Sequence, residues 1–496
     1  MHQQIAIPRE RSHFARLNRA ALVAGLALMI LAADIGRLTA QTQKKSAAPS
    51  RKGQAAESDS PGTQPAKGSK KSRKKKEKDK TSVEGIADYA SPHFLVHTDL
   101  TDEDAEELLD RLETMLDLIS KYWTRPPSGI IEMFVVKNLS RWPNGSIPEE
   151  GLDSIEGGAG VTITRGISSG NAFLTKSIVY AVADRGTPQH EAVHAYCGQA
   201  FGRTGPLWYS EGMAEMGQYW RADDPSVNVH PGILRYLRQA EPKSLNEIVN
   251  AREITGDSWQ NYTWRWALCH LLANNTNYAS RFRPLGLALL TKQPDASFEQ
   301  TYGDMAQEIS FEYRQFLQHV DNGLRADLCS WDWKTKFKLV KSGSVTQAKI
   351  EAGRGWQPSR LILTEGEEYE FSATGNWTTS KEAGPVDADG ETAGTGRLVG
   401  ALLTDEIRDY ALGDEIDLGK FGSFTAPAGG KLYLRCRDRW TDLADNRGSV
   451  TVKLKLKDKG AALAPPKPED EKKKPSDKQK SGDKPQTADK PADESR

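Results

Sequence analysis

The feature that most constrains this chain is the eight-residue run TPQHEAVH, which begins at Thr187. Thr187 is expected to cap a helix, and Pro188 suits the first helical position because its missing N–H is not needed there. On that helix His190 and His194 stand four residues apart, so both imidazoles project from one face. Two imidazoles at this spacing can bind one zinc ion, and the intervening Glu191 can act on a water at the metal.

A second segment, LWYSEGMAE, follows the first and can complete the metal site. A catalytic zinc site needs a third protein ligand and an open fourth position. We expect Ser210 to cap a second helix on which Glu211 is that third ligand. Glu215 lies one turn further along the same face. It can accept a hydrogen bond from a ligand imidazole and so fix the tautomer of that ring.

Taken together, HEAVH and WYSEGMAE resemble the gluzincin metallopeptidases and, within them, the peptidase MA-like group. The resemblance implies a thermolysin-like fold over residues 83–337, in which a small sheet packs on the active-site helix. It implies Zn²⁺ as cofactor, with His190, His194 and Glu211 as ligands. Glu191 would be the general base that acts on the metal-activated water, and the substrate would be a peptide or a protein.

The same resemblance suggests two further elements of a catalytic site. In the family, the strand before the active-site helix aligns the substrate backbone, which corresponds here to residues 177–183. Tyr262, in the run NYTW, resembles the tyrosine that acts as a transition-state donor. A tyrosine that simply packs in the core is the alternative for this position.

Hydrophobic periodicity predicts the fold class of this part of the chain. Thr101 followed by three acidic residues predicts a helix start, and apolar residues at helical spacing continue to just before Pro126. Residues 130–136, 161–164 and 177–183 are predicted as strands, and helical patterns dominate from Pro188 onward. Strands followed by helices predict an α+β domain.

The ends of the chain have compositions typical of segments that do not fold. Residues 1–40 combine an arginine-rich start with a short apolar run and are interpreted as a signal peptide. An uncleaved membrane anchor is the alternative. Residues 41–82 and 458–496 are rich in Lys and poor in large apolar residues, so we expect a disordered linker and a disordered tail. The predicted location is therefore outside the cytoplasm, in the periplasm or cell envelope or secreted.

Residues 338–457 are predicted to form an all-β sandwich that follows the α+β domain. Alternating apolar and polar residues, as in 450–456, are typical of half-buried strands. Clusters of Gly, Pro and Asp separate these runs, which is the spacing expected of a β-sandwich.

This second domain resembles the small calcium-dependent galactose-binding lectin of bacteria, in stretches such as GNW at 375–377 and LVGAL at 398–402. The resemblance implies a Ca²⁺ ion and a surface glycan as ligands. No histidine follows His319, so the sugar-contacting histidine of the family has no counterpart. The implied calcium ligands are a backbone carbonyl near Ser380 and the side chains of Asp438, Asp442, Asp445 and Asn446.

Composition excludes several classes of function. The 67 basic residues balance the 67 acidic ones, so no general attraction to nucleic acid is expected. Four dispersed cysteines are too few for a disulfide framework, although one disulfide is possible. Membrane contact is expected only if the N-terminal segment stays uncleaved.

Two functional classes remain open from the sequence. The first is an exported zinc peptidase with an accessory surface- or glycan-binding domain. The second is a non-catalytic envelope- or carbohydrate-binding protein that retains a relic metal site. A complete ligand set together with Glu191 favours the first class.

Overall fold

The computed structural model describes residues 85–169, 172–221, 223–250, 258–406 and 409–457. The predicted signal peptide, the predicted linker and the C-terminal tail all lie outside these ranges. The chain divides into two compact units. The first ends at Ala306, and the second begins at Gln307 and includes residues 275–277.

The first unit mixes strands and helices, as the α+β prediction requires. Its strands are β1 (Ala87–Ala90), β2 (Phe94–Thr98), β3 (Ile131–Val136), β4 (Gly160–Ser169) and β5 (Ala172–Val182). Its helices are α1 (Asp102–Trp123), α2 (Glu149–Glu156), α3 (Thr187–Phe201), α4 (Leu207–Tyr219), α5 (Pro231–Gln239), α6 (Leu245–Val249), α7 (Ser258–Asn274), α8 (Ala279–Leu290) and α9 (Phe298–Tyr302).

The five strands form one sheet in the order β1-β2-β3-β5-β4. The pairs β2–β3 and β3–β5 are parallel, whereas β1 and β4 run antiparallel to their neighbours. Strand β4 is therefore the antiparallel edge next to β5. Helix α3 packs against both β4 and β5, so the edge of the sheet lies along the helix that carries the HEAVH motif.

Helix α1 shows how local sequence sets an element's ends. The Thr101 hydroxyl accepts a hydrogen bond from the Asp104 backbone N–H, as predicted for an N-cap. The helix ends at Trp123, ahead of Pro126, and Thr124 takes up a left-handed conformation with φ of 53°. The predicted start and stop are both confirmed, because each depends on residues within one turn.

The second unit consists mainly of two sheets. It begins with α10 (Ala306–His319), whose first residue belongs to the first unit. The strands that follow are β6 (Lys338–Leu339), β7 (Thr346–Glu351), β8 (Gln357–Leu363), β9 (Glu368–Thr374), β10 (Trp377–Thr378), β11 (Leu398–Glu406), β12 (Asp409–Leu412), β13 (Ile416–Asp417), β14 (Phe421–Thr425), β15 (Gly430–Cys436) and β16 (Arg447–Leu456).

Both sheets of the second unit contribute to one hydrophobic core. Strands β7, β9, β10, β14 and β16 form one sheet, and β6, β8, β11, β12, β13 and β15 form the other. Phe371 and Val452 from the first sheet and Leu361 and Leu402 from the second are fully or almost fully buried in the same cluster. Two sheets that share a core form the sandwich arrangement.

The border between the units lies earlier than the predicted border at 337/338. Phe311 of α10 packs edge-on against Trp331, with ring centroids 4.8 Å apart, and Trp331 contacts Tyr433 of β15 at 4.4 Å. These aromatic contacts belong to the second unit. From the sequence, α10 is grouped with the preceding helices, because a helical pattern does not indicate which hydrophobic core its apolar face packs in.

Two further predictions concern the cysteines and the membrane. All four cysteines, Cys197, Cys269, Cys329 and Cys436, are free thiols, so the disulfide that the sequence allowed is not formed. Across the described ranges, the helices are too short or too polar to span a bilayer.

Candidate metal centre

The start of α3 is fixed by the side chain of Asp184, which was not predicted from the sequence to have a role. Asp184 Oδ1 accepts hydrogen bonds from the backbone N–H groups of Gly186 and Thr187, at 2.8 and 2.6 Å. Its Oδ2 accepts one from the Thr187 hydroxyl at 2.8 Å. Gly186 is the N-cap residue and Thr187 is already helical, so the predicted cap at Thr187 is wrong by one residue. Asp184 fixes the start of the helix that carries both histidines.

Helix α4 follows after a glycine-rich turn. Gly202 ends α3 in a left-handed conformation with φ of 74°, which favours glycine. The N-cap of α4 is Pro206, so the prediction that Ser210 caps this helix is wrong. Gly212 allows α4 to approach α7 closely, because a Cβ there would lie 2.4 Å from Cys269 Sγ. Glu211 is thereby held between α3 and α7.

The three predicted zinc ligands converge in the first unit. Ligand atoms of His190, His194 and Glu211 all lie within 4.8 Å of one another. Glu211 Oε2 is 3.2 Å from His190 Nε2 and 3.4 Å from His194 Nε2, and the two Nε2 atoms are 3.2 Å apart. One carboxylate oxygen and two imidazole nitrogens therefore face a common point, in the arrangement expected for a three-ligand zinc site.

The opposite nitrogen of each imidazole is also in contact with the protein. His190 Nδ1 lies 3.0 Å from Glu215 Oε1, which is the contact that the sequence predicts for Glu215. His194 Nδ1 lies 3.3 Å from the Ser210 hydroxyl. A carboxylate at Nδ1 holds the proton there and leaves Nε2 free to bind a metal. Both rings therefore present Nε2 to the point they share with Glu211.

The electrostatics of the cluster follow from this geometry. Burial opposes a charge on His190, but hydrogen bonds with Glu211 and Glu215 outweigh burial and raise its pKa well above the ordinary value. Burial also opposes a charge on Glu211, yet the neighbouring His194 and His190 keep its pKa below the ordinary value. The Glu211 carboxylate and the His190 imidazole thus stabilise the charged form of each other in this buried cluster.

Glu191 is anchored by the edge strand β4. Its Oε2 lies 2.7 Å from the Thr162 hydroxyl of β4, and its backbone carbonyl lies 2.9 Å from the same hydroxyl. Gly160 gives this side chain room, because a Cβ there would lie 2.7 Å from Glu191 Cγ. The Thr162 hydroxyl can donate its one proton to the Glu191 carbonyl or to Glu191 Oε2. It therefore restricts the position of the Glu191 carboxylate, while Thr162 itself is not among the predicted metal ligands.

The segment predicted to align a substrate backbone, residues 177–183, has no open strand edge. Residues 177–183 fall mainly in β5, whose two edges pair with β3 and β4. Its backbone groups are occupied by these ladders, so the prediction for this segment is wrong. Strand β4 has no further pairing partner among the described strands, and it is the strand that contacts Glu191.

Tyr262 lies in the first turns of α7, which begins at Ser258. Its ring centroid is 5.6 Å from that of His190, so the structure brings it to the edge of the metal cluster. Arg265, one turn later, holds its guanidinium carbon 5.9 Å from the centroid of the Tyr262 ring. Sequence reasoning singled out Tyr262 and missed Arg265, although the i, i+3 spacing places both on one face of a helix.

Thr162 and Ser210 were also missed as contacts of the site. The alternation of 161–164 indicates that Thr162 shares a face of its strand with Thr164. Only the packing of β4 on α3 shows that this face meets Glu191. Ser210 directly precedes a ligand, but its expected role was that of a cap.

The predicted calcium residues form a different kind of cluster in the second unit. Asp438 Oδ2, Asp445 Oδ1 and Asn446 Oδ1 are buried, and the described residues donate no hydrogen bond to these three atoms. The Asn446 amide nitrogen donates to the Ala352 carbonyl at 3.2 Å, which leaves its oxygen as a free acceptor. Burial raises the pKa of Asp438, and the carboxylates of Asp442 and Asp445 raise it further.

Of the other predicted calcium ligands, Asp442 has side-chain contacts of its own, and the backbone carbonyl near Ser380 lies after strand β10. Asp442 accepts hydrogen bonds from Arg439 Nε and from the Thr441 hydroxyl, both at 2.7 Å. Ser380 Oγ accepts one from the Ala383 backbone N–H at 2.9 Å. Strand β10 pairs Thr378 with Arg447, so Ser380 follows a strand that runs beside the end of the acidic loop. The side chain of Asp442 is thus less available to a cation than those of Asp438, Asp445 and Asn446.

Comparison with known proteins gives little beyond this geometry. No protein-family model and no curated protein matches the chain. Among solved structures, the chain is similar to one described as the EclA N-terminal domain, a PllA-like lectin. The identity is 19%, the match covers 23% of this chain and 96% of that one, and the TM-score is 0.18.

Proposed function

We propose that this protein is an exported zinc-dependent peptidase whose first unit carries the reaction. The observation that supports this proposal most is the convergence of His190 Nε2, His194 Nε2 and Glu211 Oε2, while Glu215 and Ser210 contact the opposite imidazole nitrogens. Two imidazoles and a carboxylate suit zinc and leave room for a fourth ligand.

Each residue of the site has a defined role in this proposal. A zinc ion bound there would act as a Lewis acid on a peptide carbonyl and lower the pKa of a water molecule. Glu191 takes a proton from the attacking water and passes it to the leaving amine nitrogen. Tyr262 is placed to donate a hydrogen bond to the developing oxyanion, since its hydroxyl makes no hydrogen bond to any described residue.

The edge strand provides a place for an extended peptide. A peptide can add to an unpaired strand edge through backbone hydrogen bonds, which gives affinity without a strict sequence requirement. Strand β4 has such an edge, and its Thr162 contacts Glu191. A substrate paired with β4 would therefore pass the general base. We also propose that the first unit has a thermolysin-like, gluzincin fold. The basis is a sheet whose open edge, β4, lies beside the helix that carries the predicted zinc ligands.

Metal analysis of the full chain tests the proposal directly. We expect about one zinc per chain, and loss of that zinc in a His190→Ala/His194→Ala double variant. His230→Asn is a suitable control because His230 is an exposed helix cap outside the cluster. Zinc retained by the double variant would contradict the proposed ligands. Zinc binding without cleavage of any peptide in a mixed library would favour the non-catalytic class.

A second activity is proposed for the second unit, namely binding of Ca²⁺ and, through it, of a surface glycan. Three buried acceptor oxygens without partners support it. Hard carboxylate and amide oxygens are the ligands that calcium prefers. Calorimetric titration of the full chain with calcium, and then with galactose and other monosaccharides, separates the two steps. No heat at millimolar calcium would leave this unit as a spacer or a protein-binding module.

A further inference from the structure

Arg265 of α7 is a buried cation to which the described residues offer no hydrogen-bond acceptor. Its residue surface is only 3% exposed, and its Nε is buried with no hydrogen-bond acceptor. The guanidinium makes no hydrogen bond or ion pair with any residue in the described ranges. Its one specific contact is with the face of the Tyr262 ring, 5.9 Å from its carbon to the centroid.

The side chain of Arg265 is directed towards the metal cluster. Side chains on a helix lean towards its N-terminus, and Tyr262 lies one turn in that direction. The Tyr262 ring is in turn 5.6 Å from the ring of His190. The backbone of Arg265 also faces α4, because a Cβ on Gly212 would lie 2.9 Å from the Arg265 carbonyl. The guanidinium thus lies on the side of the Tyr262 ring, which is itself next to the predicted metal ligands.

A buried, unpaired guanidinium is costly to retain. Arginine loses the hydrogen bonds that water gives it, and an aromatic face replaces only part of them. The nearby carboxylate of Glu211 is already engaged by both histidines. A planar fork of donors without an acceptor is suited to a ligand that brings its own anionic oxygens.

We propose that Arg265 binds a carboxylate of the peptide substrate next to the metal centre. This inference rests on the proposed peptidase function and specifies its substrate class, namely peptides that present a carboxylate within reach of the scissile bond. A neutral peptide carbonyl would satisfy fewer donors and would leave the charge uncompensated. The carboxylate can be the C-terminus or an acidic side chain, and both use the same chemistry.

Peptide binding to the full chain, measured by calorimetry in the Glu191→Gln background, tests this inference without turnover. The probes are acetyl-pentaalanine as the free acid, the same peptide as the carboxamide, and the carboxamide with its third alanine replaced by aspartate. We expect the free acid or the aspartate peptide to bind about ten- to a hundredfold more tightly than the plain carboxamide. Which of the two binds tightly identifies the source of the carboxylate.

Substitution of Arg265 assigns the preference to this residue. Arg265→Gln should abolish the difference between the probes, while Arg281→Gln, which removes an exposed arginine of α8, should leave it intact. If Arg265→Gln does not fold, Arg265→Lys retains the charge but not the fork, and the preference should fall severalfold. Equal affinities of the three probes, or an equal loss for all of them in the variants, would overturn the proposal.

The outcome is separable from that of the peptidase proposal. Hydrolysis by the wild type without a preference for carboxylates would overturn the role of Arg265 alone. A preference for carboxylates in a protein that cleaves none of the probes would support Arg265 and count against the peptidase.

Discussion

The two units of this protein place polar side chains together in two different ways. In the first unit, His190, His194 and Glu211 contact one another, with each nitrogen or oxygen 3.2 to 3.4 Å from the next. In the second unit, Asp445 and Asn446 each keep a buried oxygen that no hydrogen bond reaches. The first cluster is internally paired, whereas the second keeps buried acceptor oxygens to which the described residues donate no hydrogen bond.

This difference has a physical consequence for the ions proposed at each site. Imidazole and carboxylate can share protons, so the first cluster stays satisfied when no metal is bound. Oxygen acceptors cannot satisfy one another, so the second cluster gains a partner only from a cation or water. We therefore expect the first site to be preformed for catalysis, and the second to gain stability from its ion.

The largest expected effect concerns the chemistry of the first site. Glu191→Gln should lower kcat by about 10³-fold or more, because the amide cannot accept the proton. Zinc content should stay at about one per chain, since Glu191 is not part of the ligand cluster. Glu149→Gln, on the exposed face of α2, is the matched control. Activity within about tenfold of the wild type would remove Glu191 from its role.

The next effect concerns calcium and the second unit. At a calcium concentration about a hundredfold above its Kd, the free energy of unfolding should rise by about 2.7 kcal/mol through mass action. Asn446→Leu should eliminate this increment, because it removes an oxygen and keeps the volume. Calorimetric melting of the full chain with calcium, and with magnesium as control, measures it. An equal calcium shift in wild type and variant would break the comparison between the two clusters.

A smaller expected effect on zinc affinity distinguishes the Nδ1 contact of His190 with Glu215 from the Nδ1 contact of His194 with Ser210. Glu215→Gln should weaken zinc binding about ten- to a hundredfold, because a carboxylate holds the Nδ1 proton of His190 more firmly than an amide does. Ser210→Ala should cost less, since its contact with His194 is neutral and longer, at 3.3 Å. Competition with a fluorescent chelator gives both affinities. The reverse order would show that His194 depends more on its outer partner.

The smallest expected effect is a pH dependence of stability that arises from His319, whose pKa is shifted in the opposite direction to that of His190. Whereas the pKa of His190 is raised, burial and then the positive charge of Arg435 lower the pKa of His319 to about 4, from an ordinary value of 6.5. The unfolded chain therefore binds a proton more strongly at His319 between pH 6.5 and pH 4. The stability of the second unit should fall as the pH falls through this window.

Between pH 7 and pH 5, this loss should amount to about 1 to 2 kcal/mol. His319→Phe keeps a ring against Trp440, which stacks on His319 at 4.4 Å, and it cannot titrate. Urea unfolding followed by tryptophan fluorescence at both pH values should show a smaller loss in this variant. Identical losses would mean that His319 does not titrate with unfolding.

Prediction from the sequence succeeded where neighbours in the chain decide the structure. The Thr101 cap and the end of α1 before Pro126 follow from residues within one turn. Prediction failed where a partner comes from elsewhere. The border at 337/338, the strand chosen for a substrate and the role of Ser210 all depended on packing that periodicity does not encode.

From the sequence alone, a helix of fixed pitch places His190 and His194 on one face and Glu211 and Glu215 one turn apart, which is the basis of the predicted metal site. The sequence did not determine what surrounds these residues. Thr162 reaches Glu191 only because β4 lies along α3, and α7 approaches α4 closely only because residue 212 is a glycine. Local geometry is set by covalent structure, whereas contacts between distant segments depend on which apolar faces bury one another.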